Sequence, residues 1–182
     1  MDEQLEFMKQ IACRLDSAGI PYMITGSMAM AIYATPRMTR DIDLVIECDL
    51  LDSDRLADLF EQDCYVDRKG IRDAVSRRSM FNIIHNDWIV KADFIIRKNG
   101  QYRKLEFERR RIIDIEGTPI SIVAAEDLVL SKLHWAKDSD SELQWRDVRS
   151  IIESVPELDW PYLEKWAASL GVHGLLDQAR KG

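Results

Sequence analysis

The chain has 182 residues with 46% apolar and 31% charged side chains, the composition of an ordinary globular protein, long enough to bury roughly 70% of its unfolded surface without a metal or disulfide staple. No apolar run approaches the ~18–20 residues of a membrane span, and the acidic opening MDEQLEFMKQ lacks the basic and apolar regions of a signal peptide. Three cysteines (Cys13, Cys48, Cys64) form neither a CxxC pair nor a disulfide framework, so a reduced, cytoplasmic protein is expected. The net charge of −7 argues against a dedicated duplex-DNA binder.

The elements follow from hydrophobic period. Leu5, Met8, Ile11, Ala12 and Leu15 predict a helix over 4–18, ended by Gly19 and Pro21. Tyr22–Thr25 reads as a short buried strand, and Gly26-Ser27 opens a small-residue helix that stops before Pro36. Asp41–Glu47 (DIDLVIE) is a central strand, and Ser53 with Asp54 caps a helix through Arg55–Gln62. Strands follow at Met80–His85, Trp88–Ile96, Ile112–Ile115 and Pro119–Val123. From Ala124 the period is helical throughout, with helices over Glu126–Ala136, Glu142–Glu153, Pro161–Leu170 and Leu175–Arg180. The expected fold is α/β (α+β): a mixed β-sheet flanked by helices over residues 1–123, then a C-terminal helical subdomain, 124–182, packed on that core.

Charge is unevenly distributed. Between Arg97 and Arg111 there are seven Lys/Arg against Glu106 and Glu108, a net +5, so the remainder carries −12. Two readings stand: a solvated hairpin edge protected by its cations, or a contact for polyphosphate or RNA.

The chemistry concentrates at two places. Gly26-Ser27 at a strand-to-helix corner supplies backbone N–H groups and a helix N-terminus suited to phosphate. Asp41-Ile-Asp43 puts two carboxylates on one face of a strand, a costly arrangement unless a cation such as Mg²⁺ neutralises them. Asp52/Asp54 and Asp138/Asp140 share the D-x-D spacing, but they fall at a helix cap and in a turn, where aspartate needs no ligand. Salt bridges to Arg37 and Arg40 are the structural alternative for Asp41 and Asp43. Asp93, inside the apolar run VKADFII, also wants a cation or donor. Lys132 shares a helix face with Leu128 and Trp135; it either reaches the site or snorkels to water. The three histidines have no metal spacing, and the tryptophans read as packing residues, with Trp135 alone near the site.

With Gly26-Ser27, the stretch Arg37–Leu44 (RMTRDIDL) and a lone strand aspartate in view, the chain resembles the nucleotidyltransferase superfamily (h-G-[GS], D-x-D, then a third acid). Glu126–Ile152 is similar to the downstream region of bacterial minimal nucleotidyltransferases, of the abortive-infection toxin type and its single-domain relatives. The resemblance, over about residues 20–153, implies transfer of a nucleoside monophosphate from an NTP to a hydroxyl acceptor. It makes Asp41, Asp43 and Asp93 the catalytic set and the ligands of Mg²⁺ or Mn²⁺, with Asp93 also the base. It assigns Gly26, Ser27, Arg40 and Lys132 to the nucleotide. The implied acceptor is RNA, tRNA or protein, held through Arg97–Arg111, and an antitoxin chain or a second copy is the implied partner. The aminoglycoside and lincosamide nucleotidyltransferases share a similar TR-x-x-DID motif, so a small-molecule acceptor stands as the alternative, beside a non-catalytic module of the same fold. Arg146-Asp147 matches the family's R-D pair, but Ser150 stands where a further acid is expected, and Asp147 is read as lying on a solvated helix face.

Overall fold

Apolar residues at Phe7, Met8, Ile11, Ala12, Leu15 and Ala18 recur every three or four positions and give helix α1 (Asp2–Ala18) one buried stripe. In the computed structural model, which describes residues 2–35, 39, 41–139 and 141–181, that stripe lies on a seven-stranded mixed sheet. After α1 come β1 (Tyr22–Thr25), α2 (Gly26–Tyr33), β2 (Asp41–Ile46), α3 (Ser53–Asp58) and β3 (Cys64–Tyr65). They are followed by α4 (Arg68–Arg77), β4 (Met80–His85), β5 (Lys91–Ile96), α5 (Gln101–Glu108), β6 (Arg111–Ile115) and β7 (Thr118–Ile122). The chain closes with α6 (Ala125–Ser139), α7 (Glu142–Ser154), α8 (Trp160–Leu170) and α9 (His173–Arg180). The fold is therefore the mixed α/β arrangement expected, with the last strand ending at Ile122 and, among the described residues, helices only beyond it.

Strand order is β3-β4-β5-β2-β1-β7-β6. β2 is antiparallel to β1 and parallel to β5, which places it at the centre of the sheet. Its alternation decides the faces: Ile42, Leu44 and Ile46 are fully buried against α1, α3 and α4, whereas Asp41, Asp43 and Val45 face the other way. The second core lies around α6, where Leu128, Val129 and Leu133 pack with Val148, Ile151, Leu163 and Trp166 from α7 and α8. Among the described residues no helix is long and apolar enough to cross a membrane.

Three elements went unannounced by periodicity. β3 is two residues long. Helix α4 carries only Ile71, Ala74 and Val75 inward, and Asp67 caps it by accepting from the Gly70 N–H. Helix α5 corrects the hairpin-edge reading of Arg97–Arg111. Its buried residues are Tyr102, Glu106 and Phe107, and a glutamate on the inner face breaks the apolar pattern.

Several cations of that basic segment point into the protein. Arg97 pairs with Glu47, Arg103 with Glu106, and Arg109 with both Glu126 and Asp127 while its guanidinium stacks over Tyr162 at 3.9 Å. Asp127 is wholly buried, and burial raises its carboxyl pKa against the hydrogen bonds from Tyr162 and Arg109. Removing one partner of such a pair costs about 3 kcal/mol or more. Arg109→Met is thus expected to lower the denaturation midpoint clearly, while Lys104→Gln, on the exposed side of α5, stays within about 0.5 kcal/mol of the parent. Equal melts for the two variants would show that Arg109 is not part of the scaffold.

Candidate active site

The site grows out of the register of β2. Asp43 lies opposite Asp93 on β5 and opposite Thr25 on β1, and Asp41 lies opposite Lys91. Neighbouring strands run about 4.8 Å apart, so Asp43 and Asp93 are adjacent on one face of the sheet. The spacing thus brings together the three acids that the sequence singled out.

Gly26 follows Thr25 at the point where β1 turns into α2. It adopts φ +61°, and a Cβ placed on it would fall 2.1 Å from Asp43 Oδ2. Only glycine lets the helix start sit directly against this carboxylate. Ser27, in the first turn of α2, is buried. Arg37 and Arg40 lie outside the described residues, so neither the salt bridges nor the nucleotide contact expected of them can be placed.

The electrostatics are those of crowded acids. Burial pushes the Asp43 carboxyl pKa above its ordinary 3.8, and Asp93 and Asp41 push it further in the same direction, against Lys132 and Lys91. Asp93 is 7% exposed, and its Oδ1 is buried with no hydrogen-bond partner among the described residues. Its Oδ2 accepts from Lys91 Nζ at 2.8 Å, and the same ammonium lies 3.3 Å from Asp41 Oδ2. Lys91, which no motif singled out, is thus part of the site. Its position two residues before Asp93 on the same strand face was the available signal.

Lys132 reaches the site from α6. It is 5% exposed, donates to Asp147 Oδ2 at 2.6 Å and to Gln144 Oε1 at 3.2 Å, and lines a cavity of about 180 Å³ with Gly26, Ser27, Asp43, Ser131 and Trp135. The snorkelling reading of Lys132 is therefore replaced by a buried ion pair. Asp147, 1% exposed, is likewise not on a solvated helix face; the inner side of α7 carries it to Lys132. Trp135 is 64% exposed at the rim, and the cleft continues past it into a second hollow of about 130 Å³ reaching Arg97, Lys98, Arg103 and Glu106. His85, by contrast, stacks on Trp88 at 4.0 Å and packs against Phe7, away from this cleft.

No group of three His, Cys, Asp or Glu is gathered as a ready metal centre among the described residues; Asp41 and Asp93 share the Lys91 ammonium instead. The donor set nevertheless fits a hard divalent cation. It consists of carboxylate oxygens, and the partnerless Asp93 Oδ1 is a buried acceptor aimed at nothing the described protein supplies.

A sheet with a Gly-Ser corner against a D-x-D strand, and a third aspartate in register beside it, is a nucleotidyltransferase-like fold. The comparisons agree. An antigenic nucleotidyltransferase-like protein from Paracoccidioides brasiliensis superposes with a TM-score of 0.59 at 21% identity, covering 99% of this chain and 93% of its own. The antibiotic-resistance factor ANT(2'')-Ia gives 0.61 at 15% identity, over 99% and 98% of the two chains. The lincosamide antibiotic adenylyltransferase LnuA, lincomycin-bound, gives 0.53 at 12% identity, over 83% and 96%. No protein-family model matches the chain, and no curated protein sequence does.

Proposed function

We propose that the chain is a metal-dependent nucleotidyltransferase that moves a nucleoside monophosphate from an NTP to a hydroxyl acceptor. The observation that carries this reading is the buried Asp93 Oδ1, unpartnered among the described residues, on the strand residue in register beside Asp43, with Gly26 pressed against the Asp43 carboxylate. In this reading Asp41, Asp43 and Asp93 hold Mg²⁺ or Mn²⁺. The cation supplies neutralisation of the triphosphate and a lowered proton affinity of the acceptor hydroxyl. Gly26 and Ser27 offer backbone N–H groups to the phosphates, Lys132 adds a fixed positive charge beside them, and Arg40 joins them on the strength of its motif position. Asp93 accepts the hydroxyl proton, the acceptor oxygen bonds to the α-phosphorus, and the bond to the β-phosphate oxygen breaks, releasing pyrophosphate. Residues 1–123 form the catalytic core in this reading, and the helical part, 124–182, contributes Lys132.

The acceptor has two candidate classes. Exposed Lys98, Lys104 and Arg111 remain for a polyanion such as RNA, although Arg97, Arg103 and Arg109 are engaged by acids. A small-molecule acceptor is supported by the likeness to ANT(2'')-Ia, whose structure with adenylyl-2''-tobramycin superposes with a TM-score of 0.61 at 15% identity. The −12 charge outside residues 97–111 would suit such a cationic drug. Radiolabelled NTP with Mg²⁺, incubated with total RNA, aminoglycosides, lincosamides and a cell protein fraction, separates these classes. Label in the RNA or protein arm supports the toxin-like reading, and label in a drug arm the small-molecule one. Metal binding with label in no arm would favour a non-catalytic module.

A further inference from the structure

Lys91 enters the site from the same strand as Asp93, two residues earlier and on the same face, and the parallel register sets it opposite Asp41. Its ammonium touches one oxygen of each, Asp93 Oδ2 at 2.8 Å and Asp41 Oδ2 at 3.3 Å. We infer that Lys91 is an internal counter-ion: its ammonium bridges Asp41 and Asp93, competes with a divalent cation for these carboxylates, must leave when one binds, and so sets the metal affinity of the site. The inference rests on the reading of these aspartates as metal ligands.

Three features of the bridge support it. The bridge engages Asp41 and Asp93 only, and Asp43 is still under repulsion from both of these neighbours, against the opposing charges of Lys132 and Lys91. Among the described residues the bridge leaves Asp93 Oδ1 buried without a partner, an acceptor that a divalent ion would satisfy and the ammonium does not. The Lys91 side chain is 35% exposed, against 10% for Asp93, so its four-carbon stem has solvent into which the charge can withdraw. A cation bound to Asp41 and Asp93 would otherwise meet the ammonium at a few ångströms, where two like charges repel strongly even in a well-screened site.

The test uses Mn²⁺ alone, without nucleotide. Free Mn²⁺ is followed by electron paramagnetic resonance, and thermal melts are run with and without the ion, for the wild type, Lys91→Met, Lys91→Gln and Asp43→Asn. Both Lys91 variants are expected to bind Mn²⁺ about tenfold or more tightly than the wild type, because the ion no longer has to displace an ammonium that holds two of its ligands and repels it at close range. Their metal-free melts should fall while the rise on adding Mn²⁺ grows. Wild-type binding that neither variant tightens, or that both weaken, would overturn the inference while leaving the metal reading intact. An equal loss of melting temperature with and without Mn²⁺ would do the same, marking Lys91 as a structural partner only. If the wild type binds no Mn²⁺, or Asp43→Asn binds it unchanged, the metal reading falls and the inference with it.

Discussion

Asp43→Asn is expected to abolish metal-dependent transfer, by about 10²–10³-fold or more, without lowering the stability of the metal-free protein. The physical reason is that Asp43 is half-buried between two other acids, so its charged form is penalised first by burial and then by Asp93 and Asp41. An isosteric amide removes that charge and keeps the shape. A carboxylate held by structural ion pairs would behave oppositely, and its loss would cost on the order of 1–3 kcal/mol. Thermal melts with and without Mg²⁺ decide: the expected variant melts at or above the wild type and no longer responds to the metal. A clear fall in melting temperature with the metal response preserved would make Asp43 structural. Asp93→Asn should lose activity equally, through loss of the proton acceptor. It should gain less in stability, because its carboxylate also pairs with Lys91.

The same raised pKa gives the comparison a pH dependence of known sign. In the folded protein Asp43 binds its proton more readily than in the unfolded chain, so the wild type becomes less stable as pH rises from the ordinary 3.8 through the raised value. Above that window the penalty is complete; below it, it vanishes. The advantage of Asp43→Asn in metal-free melts should therefore be present near neutral pH and disappear as pH falls through the window. An advantage that grows on acidification would contradict the assigned cause.

Gly26→Ala should be the most damaging single change outside the aspartates. Its φ of +61° already disfavours any side chain, at a cost of about 1–3 kcal/mol. The new methyl would meet Asp43 Oδ2 at 2.1 Å and Asp43 Cβ at 2.9 Å, closer than atoms can approach. Either the carboxylate swings away or the start of α2 lifts from the sheet, and both remove the phosphate corner from the acids. Expected are a melting temperature lower by several degrees, at about 2–4 °C per kcal/mol for a domain near this size, and loss of the metal-induced rise. Retention of both would show that the close approach of Gly26 to Asp43 is not needed.

The sequence by itself determined the ingredients and their local geometry. Period-2 alternation in DIDLVI and KADFII put Asp41 with Asp43, and Lys91 with Asp93, on single faces of their strands, because successive side chains in a strand point to opposite sides. The change to helical period after Ile122 was equally legible, as was the glycine at the strand-to-helix corner. Tertiary structure alone decided which faces meet. Nothing in either strand states that β2 and β5 pair in parallel and in register, so the approach of Asp93 to Asp43 and of Lys91 to Asp41 depends on contacts about 50 residues apart. Nor does local pattern announce that Asp147 turns inward to Lys132, or that Glu106 and Asp127 are buried with arginine partners, since a charged residue breaks the apolar period whether it faces water or a buried counter-charge. For the same reason α5 escaped notice. Apolar periodicity reports faces that avoid water, whereas a buried ion pair avoids water by finding its partner, and that partner is chosen by the fold.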